Sequence, residues 1–594
     1  MSDYSKHLSA AAEANIEAWL NEPKYLEYRE ELLQMITDER WKDLEDAFFK
    51  VIEFGTGGRR GATGVGSNRI NRVTIGESTQ ALCLYASQAD PEAPQKGIVI
   101  ACDTRLSSPE LSQYAACVAA ANGFKTYIFE SFRSTPELSF ALRELGCAVG
   151  IVISASHNPP IDNGFKAYWN DGAQLVAPHD KGVLDVAANI EQINALPDYQ
   201  QAVQQGSIIE LGQDMDDKYI AAVVEQAEGA ARGVKIAYSP LHGAGQRNTL
   251  PALKQAGFTD IVLVDDQMVP DGNFPTIENG KPNPEEKAAN DRVVALMLAE
   301  RADIAITNDP DADRIGVIVR QGDEAIYLSG NQSAVLATDY ALSKKQAKNE
   351  LTDKDYIAKT IVTTDMLQAL AGYYGVKLYG NLLIGFKYIG ELIRLKSQLG
   401  ERYIIGGEES FGLSKGEYVR DKDGAAGALP LAEYAAELKA EGKTLWDRLV
   451  ELYAEHGLYV ERLDTMVCPG AEGFSEMQAI MHSLRQQAPV LVDGEKVTAV
   501  LDYATLERKD TVTGEITSID CINGNVITLE FGDPRRRITV RPSGTEPKLK
   551  FYVQWWQQTQ SVQADYDNLS QKLENMSREL EGIAFERIGA GATD

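Results

Sequence analysis

The spacing of apolar residues changes character once, near residue 50. Between Ala10 and Leu20, Ile16, Trp19 and Leu20 recur at helical spacing in a stretch rich in Ala and Glu, and Leu26 to Phe49 continues in that style. Residues 1–50 therefore predict a helical layer packed on a later domain. From Val51 a short apolar run, a polar loop and a helical stretch follow one another repeatedly. Gly97–Ala101 leads into Cys102-Asp103-Thr104-Arg105, and Ala148–Ile153 into Ser154-Ala155-Ser156-His157-Asn158-Pro159. Val234–Tyr238 leads into Ser239-Pro240-Leu241-His242-Gly243, Asp303–Thr307 into Asn308-Asp309-Pro310-Asp311-Ala312-Asp313-Arg314, and Tyr403–Ile405 into Gly406-Gly407-Glu408-Glu409-Ser410. Strand, loop and helix in alternation predict α/β domains with largely parallel sheets. In such sheets ligands bind beyond the carboxyl ends of the strands. The unusual polar residues fall at those ends, so one shared cleft is expected.

Polar Asp185 to Asp214, with its Gln-rich centre, predicts a first boundary. Lys344 to Asp355 predicts a surface excursion, Ala471 to Glu495 leads towards a last domain, and Asp565 to Arg587 predicts a helix. The expected division is 1–50, 51–205, 206–322, 323–465 and 466–594. The chain's 594 residues suit it, at roughly 150 residues per domain.

Charge narrows the partners. With 58 basic and 87 acidic side chains the net charge is 58 − 87 = −29, which disfavours nucleic acid and anionic membrane because phosphate binding needs local cation. A phosphorylated small molecule held by clustered Arg and Lys remains compatible. None of the six cysteines has CxxC spacing, so zinc and thioredoxin-type readings lack support. Sparse thiols, no basic-then-apolar leader and no apolar run of the ~20 residues that span a bilayer predict a cytoplasmic protein. Oligomeric state is left open.

Three alternating carboxylates, Asp309, Asp311 and Asp313, follow a buried-type strand. In an extended loop they point the same way. Their repulsion is relieved by a cation, and oxygen-only ligands suit Mg²⁺. Arg314 beside them can hold an anion. The Ser156-His157 pair suggests a hydrolase nucleophile, but the Gly-x-Ser-x-Gly elbow is missing. Neighbours on a strand also face opposite ways, so His157 need not serve Ser156 as base. Phe54–Gly61 offers backbone N–H groups with Arg59 and Arg60, Arg541–Lys548 offers Arg, hydroxyls and a Gly amide, and Gly407–Ser410 offers acceptors suited to sugar hydroxyls. Neither phosphate-loop glycine pattern completes: Gly442-Lys443-Thr444 has Glu437 where Walker A needs Gly, and Gly64-Val65-Gly66 is followed by Arg69. The former predicts the end of one helix and the cap of the next.

In this order the Phe54–Gly61 loop, Ala155-Ser156-His157-Asn158-Pro159, the triple-Asp loop, Gly407-Glu408-Glu409-Ser410 and Arg541–Pro547 resemble the α-D-phosphohexomutase family over about 500 residues, Phe54 to Phe551. The N-terminal layer and Arg541–Lys548 are similar to its long bacterial phosphoglucomutase/phosphopentomutase branch. The resemblance implies three similar mixed α/β domains plus a smaller α+β C-terminal domain around a central cleft. It implies a phosphoserine at Ser156 and Mg²⁺ held by Asp309, Asp311, Asp313 and the Ser156 phosphate. Lys166 matches the proton-transfer lysine, Arg60 the arginine near the phosphoserine, and His157 the residue after it. Glu408 and Ser410 match sugar-hydroxyl readers. Arg314 and Lys422 match substrate-side cations. Arg541, Ser543, Gly544 and Thr545 match a distal phosphate clamp. The implied reaction interconverts glucose 1-phosphate and glucose 6-phosphate through glucose 1,6-bisphosphate. A phosphomannomutase, a phosphopentomutase and a non-catalytic phosphosugar-binding protein are the alternatives. Three positions depart from the family pattern: Arg59, Ile384 and Gly412.

Overall fold

The computed structural model describes residues 6–53, 58–468, 473–543 and 548–591. Three amphipathic helices, α1 (Ala10–Asn21), α2 (Arg29–Thr37) and α3 (Trp41–Phe48), form the N-terminal layer. Ile16, Trp19, Leu32, Leu44 and Phe48 close its own small core together with Val65. The layer is tied to the next domain where Asn68 N donates to Ala47 O (2.9 Å) and Arg69 pairs with Asp46 (2.6 Å).

The first sheet contains β1 (Gly58–Ala62), β2 (Ile98–Cys102), β3 (Thr126–Phe129), β4 (Val149–Ile153), β5 (Asp162–Trp169) and β6 (Ile208–Leu211), in the order β1-β5-β4-β2-β3-β6. Its edge strand lies beyond residue 205, where the sequence pattern placed the first boundary. The second sheet contains β7 (Ile236–Ser239), β8 (Ile261–Leu263), β9 (Ile304–Asn308), β10 (Ile315–Gln321) and β11 (Glu324–Leu328), in the order β11-β10-β9-β7-β8. The third contains β12 (Asp355–Thr360), β13 (Lys377–Leu382), β14 (Arg402–Gly407) and β15 (Leu413–Lys415), in the order β13-β12-β14-β15.

One unit recurs in all three. A central strand (β2, β7, β12) pairs in parallel with the strand after it and with the third strand, and the third pairs antiparallel with a fourth. β2, β4 and β9 are buried along their whole length, as expected for sheets covered on both faces. The turns between third and fourth strands, β4–β5, β9–β10 and β14–β15, carry Ser156, the triple Asp and Glu408–Ser410. The three motifs thus occupy one topological position in three copies of a unit.

The last sheet is antiparallel. It contains β16 (Leu458–Val467), β19 (Ala499–Asp502), β20 (Glu507–Asp510), β21 (Ile516–Ser518), β22 (Ile527–Phe531), β23 (Asp533–Pro542) and β24 (Lys548–Gln557), in the order β16-β24-β23-β22-β19-β20-β21. The short β17 (Leu491–Val492) and β18 (Glu495–Lys496) pair apart from it. Helices Gly473–Gln486 and Val562–Gly591 pack on it. This sheet begins at Leu458, before the boundary expected at 465. Thr444 caps the helix Leu445–His456 through a capping box, and Gly442 has φ +76°, so the Gly-Lys-Thr stretch punctuates two helices. The helix Gly330–Ala347 occupies the start of the expected surface excursion, its last-turn Lys344 and Lys345 paired with Glu437 and Glu228.

Candidate active site

The three repeated turns converge on one cleft of about 730 Å³. Arg60, Ser156, His157, Lys166, Asp313, Arg314, Glu408, Ser410, Lys422, Arg541 and Ser543 line it. Asp309 and Asp311 sit just beneath, fully buried. Gly544, Thr545 and residues 54–57 of the first glycine loop lie outside the described residues.

Ser156 follows β4 by three residues with φ +52°, a left-handed conformation that costs a non-glycine residue energy. Its N–H donates to Ser154 Oγ (2.8 Å) and its hydroxyl to Asp309 Oδ2 (2.6 Å). His157 Nδ1 lies 3.3 Å from the same Oγ. Neighbours on a strand would diverge, but both residues lie past the end of β4, where the backbone turns and brings them together. Burial, reinforced by Arg314 and Arg60, holds His157 well below its usual range. It faces Ser156 as a neutral imidazole.

The Asp loop is a turn rather than an extended segment. Ala312 N donates to Asp309 O (2.9 Å) and Ala312 has φ +52°. The turn, not strand alternation, brings the three carboxylates within 4.8 Å of one another. A Cβ on Gly243 would come 2.4 Å from Pro310 Cα, so only glycine lets the β7 loop back the turn so closely. Asp311 Oδ2 accepts from Thr135 Oγ1 (2.6 Å) and Lys166 Nζ (2.5 Å). Lys422 Nζ lies 2.9 Å from Asp313 Oδ2. Burial raises Asp309, and its two carboxylate neighbours add to the rise. Burial also opposes ionisation of Asp311, but the Lys166 ammonium outweighs it and holds Asp311 well below the usual carboxylate range. Asp311 Oδ1 and Asp313 Oδ1 are buried without a hydrogen-bond partner. Orphaned carboxylate oxygens beside a serine hydroxyl fit a hard divalent cation.

On the far wall Glu408 Oε1 accepts from Gly385 N (3.0 Å), and burial raises it against the pull of Lys422 and Arg314. Glu409 beside it is pushed up to about 7 by burial and by Glu408. Arg314 pairs with Glu285 (2.8 Å), and Arg60 reaches Asn158 Oδ1 at 3.4 Å. Arg541 closes β23, and Ser543 N donates to Lys548 O (2.7 Å) across the hairpin. Arg59 points away from the cleft. It donates to Thr74 O (3.0 Å) and lies 3.6 Å from Glu77, itself paired with Lys24 of the N-terminal layer (3.2 Å). A half-buried carboxylate therefore accommodates the unusual Arg59.

Sequence reasoning missed Thr135, Glu285, Lys550 and Tyr552. Thr135 is the first residue of a helix a domain away from Asp311 in sequence, and only the fold brings them together. Glu285, Lys550 and Tyr552 line the cleft from a loop and a strand with no motif of their own.

A serine hydroxyl bonded to one of three clustered, buried carboxylates, facing cations and acceptors across the cleft, defines a site suited to a phosphosugar on a repeated α/β frame. Family models for phosphoglucomutase/phosphomannomutase α/β/α domains I, II and III match residues 51–194, 217–322 and 329–456. The chain belongs to the phosphoglucomutase/phosphomannomutase family, within the α-D-phosphohexomutases. It is 34% identical over 547 residues to a phosphoglucomutase of Staphylococcus aureus strain N315, covering 91% of this chain and 95% of that one. To a phosphoglucomutase of Staphylococcus haemolyticus it is 34% identical over 515 residues, 86% and 91% of the two chains. Its fold matches a phosphoglucomutase/phosphomannomutase family protein from Burkholderia thailandensis, with TM-score 0.63, 18% identity and coverage of 89% and 97%. It matches the open form of parafusin, a phosphoglucomutase from Paramecium, with TM-score 0.63, 18% identity and coverage of 90% and 98%.

Proposed function

We propose that the protein is a phosphoglucomutase that interconverts glucose 1-phosphate and glucose 6-phosphate. Phosphorylated Ser156 gives its phosphoryl group to O6 of glucose 1-phosphate: the Oγ–P bond breaks, the O6–P bond forms, and the O6 proton leaves. The glucose 1,6-bisphosphate turns over in the cleft. Its O1–P bond then breaks, the phosphoryl group returns to Ser156 Oγ, and a proton on O1 completes glucose 6-phosphate. The observation that carries the reading is Ser156 Oγ hydrogen-bonded to Asp309 beside Asp311 and Asp313. Mg²⁺ held by these carboxylates would neutralise charge on the migrating group.

Lys166, buried against Asp311, shuttles the proton at the Ser156 end. Arg60 and neutral His157 orient the phosphoserine. Glu408 and Ser410 accept from sugar hydroxyls, while Arg314 and Lys422 counter phosphate charge. Arg541, Ser543, Gly544 and Thr545 hold the phosphate that is not reacting. We also propose the four-domain division read from the sequence behind the N-terminal layer, with the first boundary moved from 205 past β6 and the last moved from 465 to before β16. The six unpaired cysteines support a cytoplasmic, reducing setting, and no described helix is long and apolar enough to cross a membrane.

Coupled assays on glucose, mannose and ribose 1-phosphates, each with and without chelator, test the reading. The expected result is highest kcat/KM on glucose 1-phosphate, lost in chelator and restored by Mg²⁺. A preference for mannose or ribose 1-phosphate would assign the alternative mutases, and no turnover of any of them would leave a binding protein.

A further inference from the structure

Arg105 lies in the loop after β2 and is 1% exposed. It carries no part in the reaction as derived above, yet its guanidinium makes the densest set of hydrogen bonds beneath the cleft. Nη2 donates to Ser156 O and Asn158 O, both at 2.6 Å. Nη1 donates to Pro159 O (2.6 Å) and Asp162 O (2.9 Å). Nε donates to Asp103 Oδ2 (3.2 Å). Each of the five N–H donors of a guanidinium thus has its own acceptor, and four of them are main-chain carbonyls of the turn that carries Ser156. Asp103 in turn accepts from Arg105 N (3.0 Å) and Ser108 Oγ (2.6 Å). From the second domain Phe274 lies under the guanidinium at 5.3 Å, and a Cβ on Gly272 would come 2.6 Å from Arg105 Cα. The side chain is enclosed on every side.

We propose that Arg105 is the positioning residue of the Ser156 loop, setting the direction of the phosphoryl-carrying hydroxyl. Ser156 holds an unfavourable left-handed backbone, and such a conformation persists only where its surroundings over-determine it. The carbonyl of Ser156 itself is one of the four that Arg105 fixes. Rotation of that peptide would swing Oγ away from Asp309, now 2.6 Å distant. Lysine cannot replace the group: it offers three donors from one point, whereas the four carbonyls need a planar fork. The inference rests on the reading of Ser156 as phosphoryl carrier.

The test follows phosphoryl uptake rather than turnover alone. Unphosphorylated full-length protein with Mg²⁺ is mixed with glucose 1,6-bisphosphate, and uptake on Ser156 is timed by quenched-flow intact mass. Melting temperature, KM and the ³¹P resonance of the phosphoserine are measured beside it. Arg105→Lys should slow uptake by about 100-fold, the order expected of a misplacement near 1 Å, while KM for glucose 1-phosphate holds and the ³¹P resonance shifts. Asp103→Asn, which leaves the guanidinium but frees its Nε end, should give a smaller slowing in the same direction. A purely architectural role would lower the melting temperature without altering uptake or the resonance of the folded fraction. Wild-type uptake by folded Arg105→Lys overturns the proposal, and if that variant does not fold, wild-type uptake by Asp103→Asn does so. Failure of the wild type to take up phosphate would instead bring down the Ser156 reading, and this inference with it.

Discussion

The junction of the first three domains and the seam with the fourth are built differently. At the junction, short buried bonds from separate elements converge on the Asp turn. Thr135 N donates to Asp311 O (2.9 Å), Gly424 N to Ala312 O (3.1 Å) and Ile315 N to Phe411 O (3.0 Å). Nearby, Tyr168 OH donates to Asp421 Oδ2 (2.8 Å) and Arg420 N to Ser139 Oγ (3.0 Å). At the seam an ion cluster lies beside an apolar core that continues from Val335, Ile405 and Leu449 into Val460, Phe551 and Leu573 of the last domain. Arg537 reaches Asp365 at 2.5 Å and Ile361 O at 3.1 Å, Lys359 reaches Asp365 at 3.0 Å, and Gln554 Nε2 reaches Thr363 O at 3.1 Å. Cavities of about 640 and 620 Å³ lie beside it, the second bordered by Phe49, Phe474 and Arg541. The groups proposed to meet the phosphoryl are therefore fixed in a shared frame, while the proposed clamp at Arg541 sits on the last domain and borders one of these cavities. That division suits an intermediate that must present either end to one serine.

The largest expected effect strikes the frame. Ser156→Ala should lower kcat by about 10⁴-fold or more, since the covalent carrier is gone, as a coupled assay would read. Asp311→Asn should come next, weakening Mg²⁺ binding by at least about 100-fold by isothermal titration, because it removes charge and the partner of Lys166 together. Arg541→Ala acts on the last domain. It should weaken transition-state binding by about 2–4 kcal/mol for both glucose 1-phosphate and glucose 1,6-bisphosphate if the pair is desolvated, with Mg²⁺ dependence unchanged. Arg537→Ala breaks the seam itself. With Lys359 left to face Asp365, the loss should be about 2 kcal/mol of stability by chemical denaturation, with the metal site intact.

The last effect is a pH slope. Burial lifts Glu461 on β16 from its ordinary 4.5 to about 7 in the fold. The unfolded group ionises first, so it subtracts stability as pH rises from about 4.5 to 7 and the loss is complete above 7. Glu461→Gln should flatten that part of the stability–pH profile. An unchanged slope in this variant would place the seam's pH dependence elsewhere.

Much of the frame was legible because the repeated unit writes itself in apolar runs that end in polar turns. β4, β9 and β14 are such runs, and Ser156, Asp309 and Glu408 stand where they end. The helical layer was legible from Ile16, Trp19 and Leu20. What escaped depended on pairing across distance. Sequence spacing cannot tell that Ile208–Leu211 joins the first sheet, or that Thr135 meets Asp311. Arg105 stood in a loop already singled out, but nothing in Cys102-Asp103-Thr104-Arg105 reveals that four of its donors turn towards Ser156, Asn158, Pro159 and Asp162. The Asp turn was identified for a reason that differs from the actual one: a tight turn at Ala312, not extended alternation, gathers the carboxylates.

The most direct measurement is peptide mapping by mass after the wild-type protein meets glucose 1,6-bisphosphate and Mg²⁺. The account predicts a single phosphoryl increment on the peptide containing Ser156, discharged when glucose 1-phosphate is added and absent from Ser156→Ala. An active enzyme whose Ser156 stays unmodified, or whose phosphoryl group maps to another residue, would contradict it.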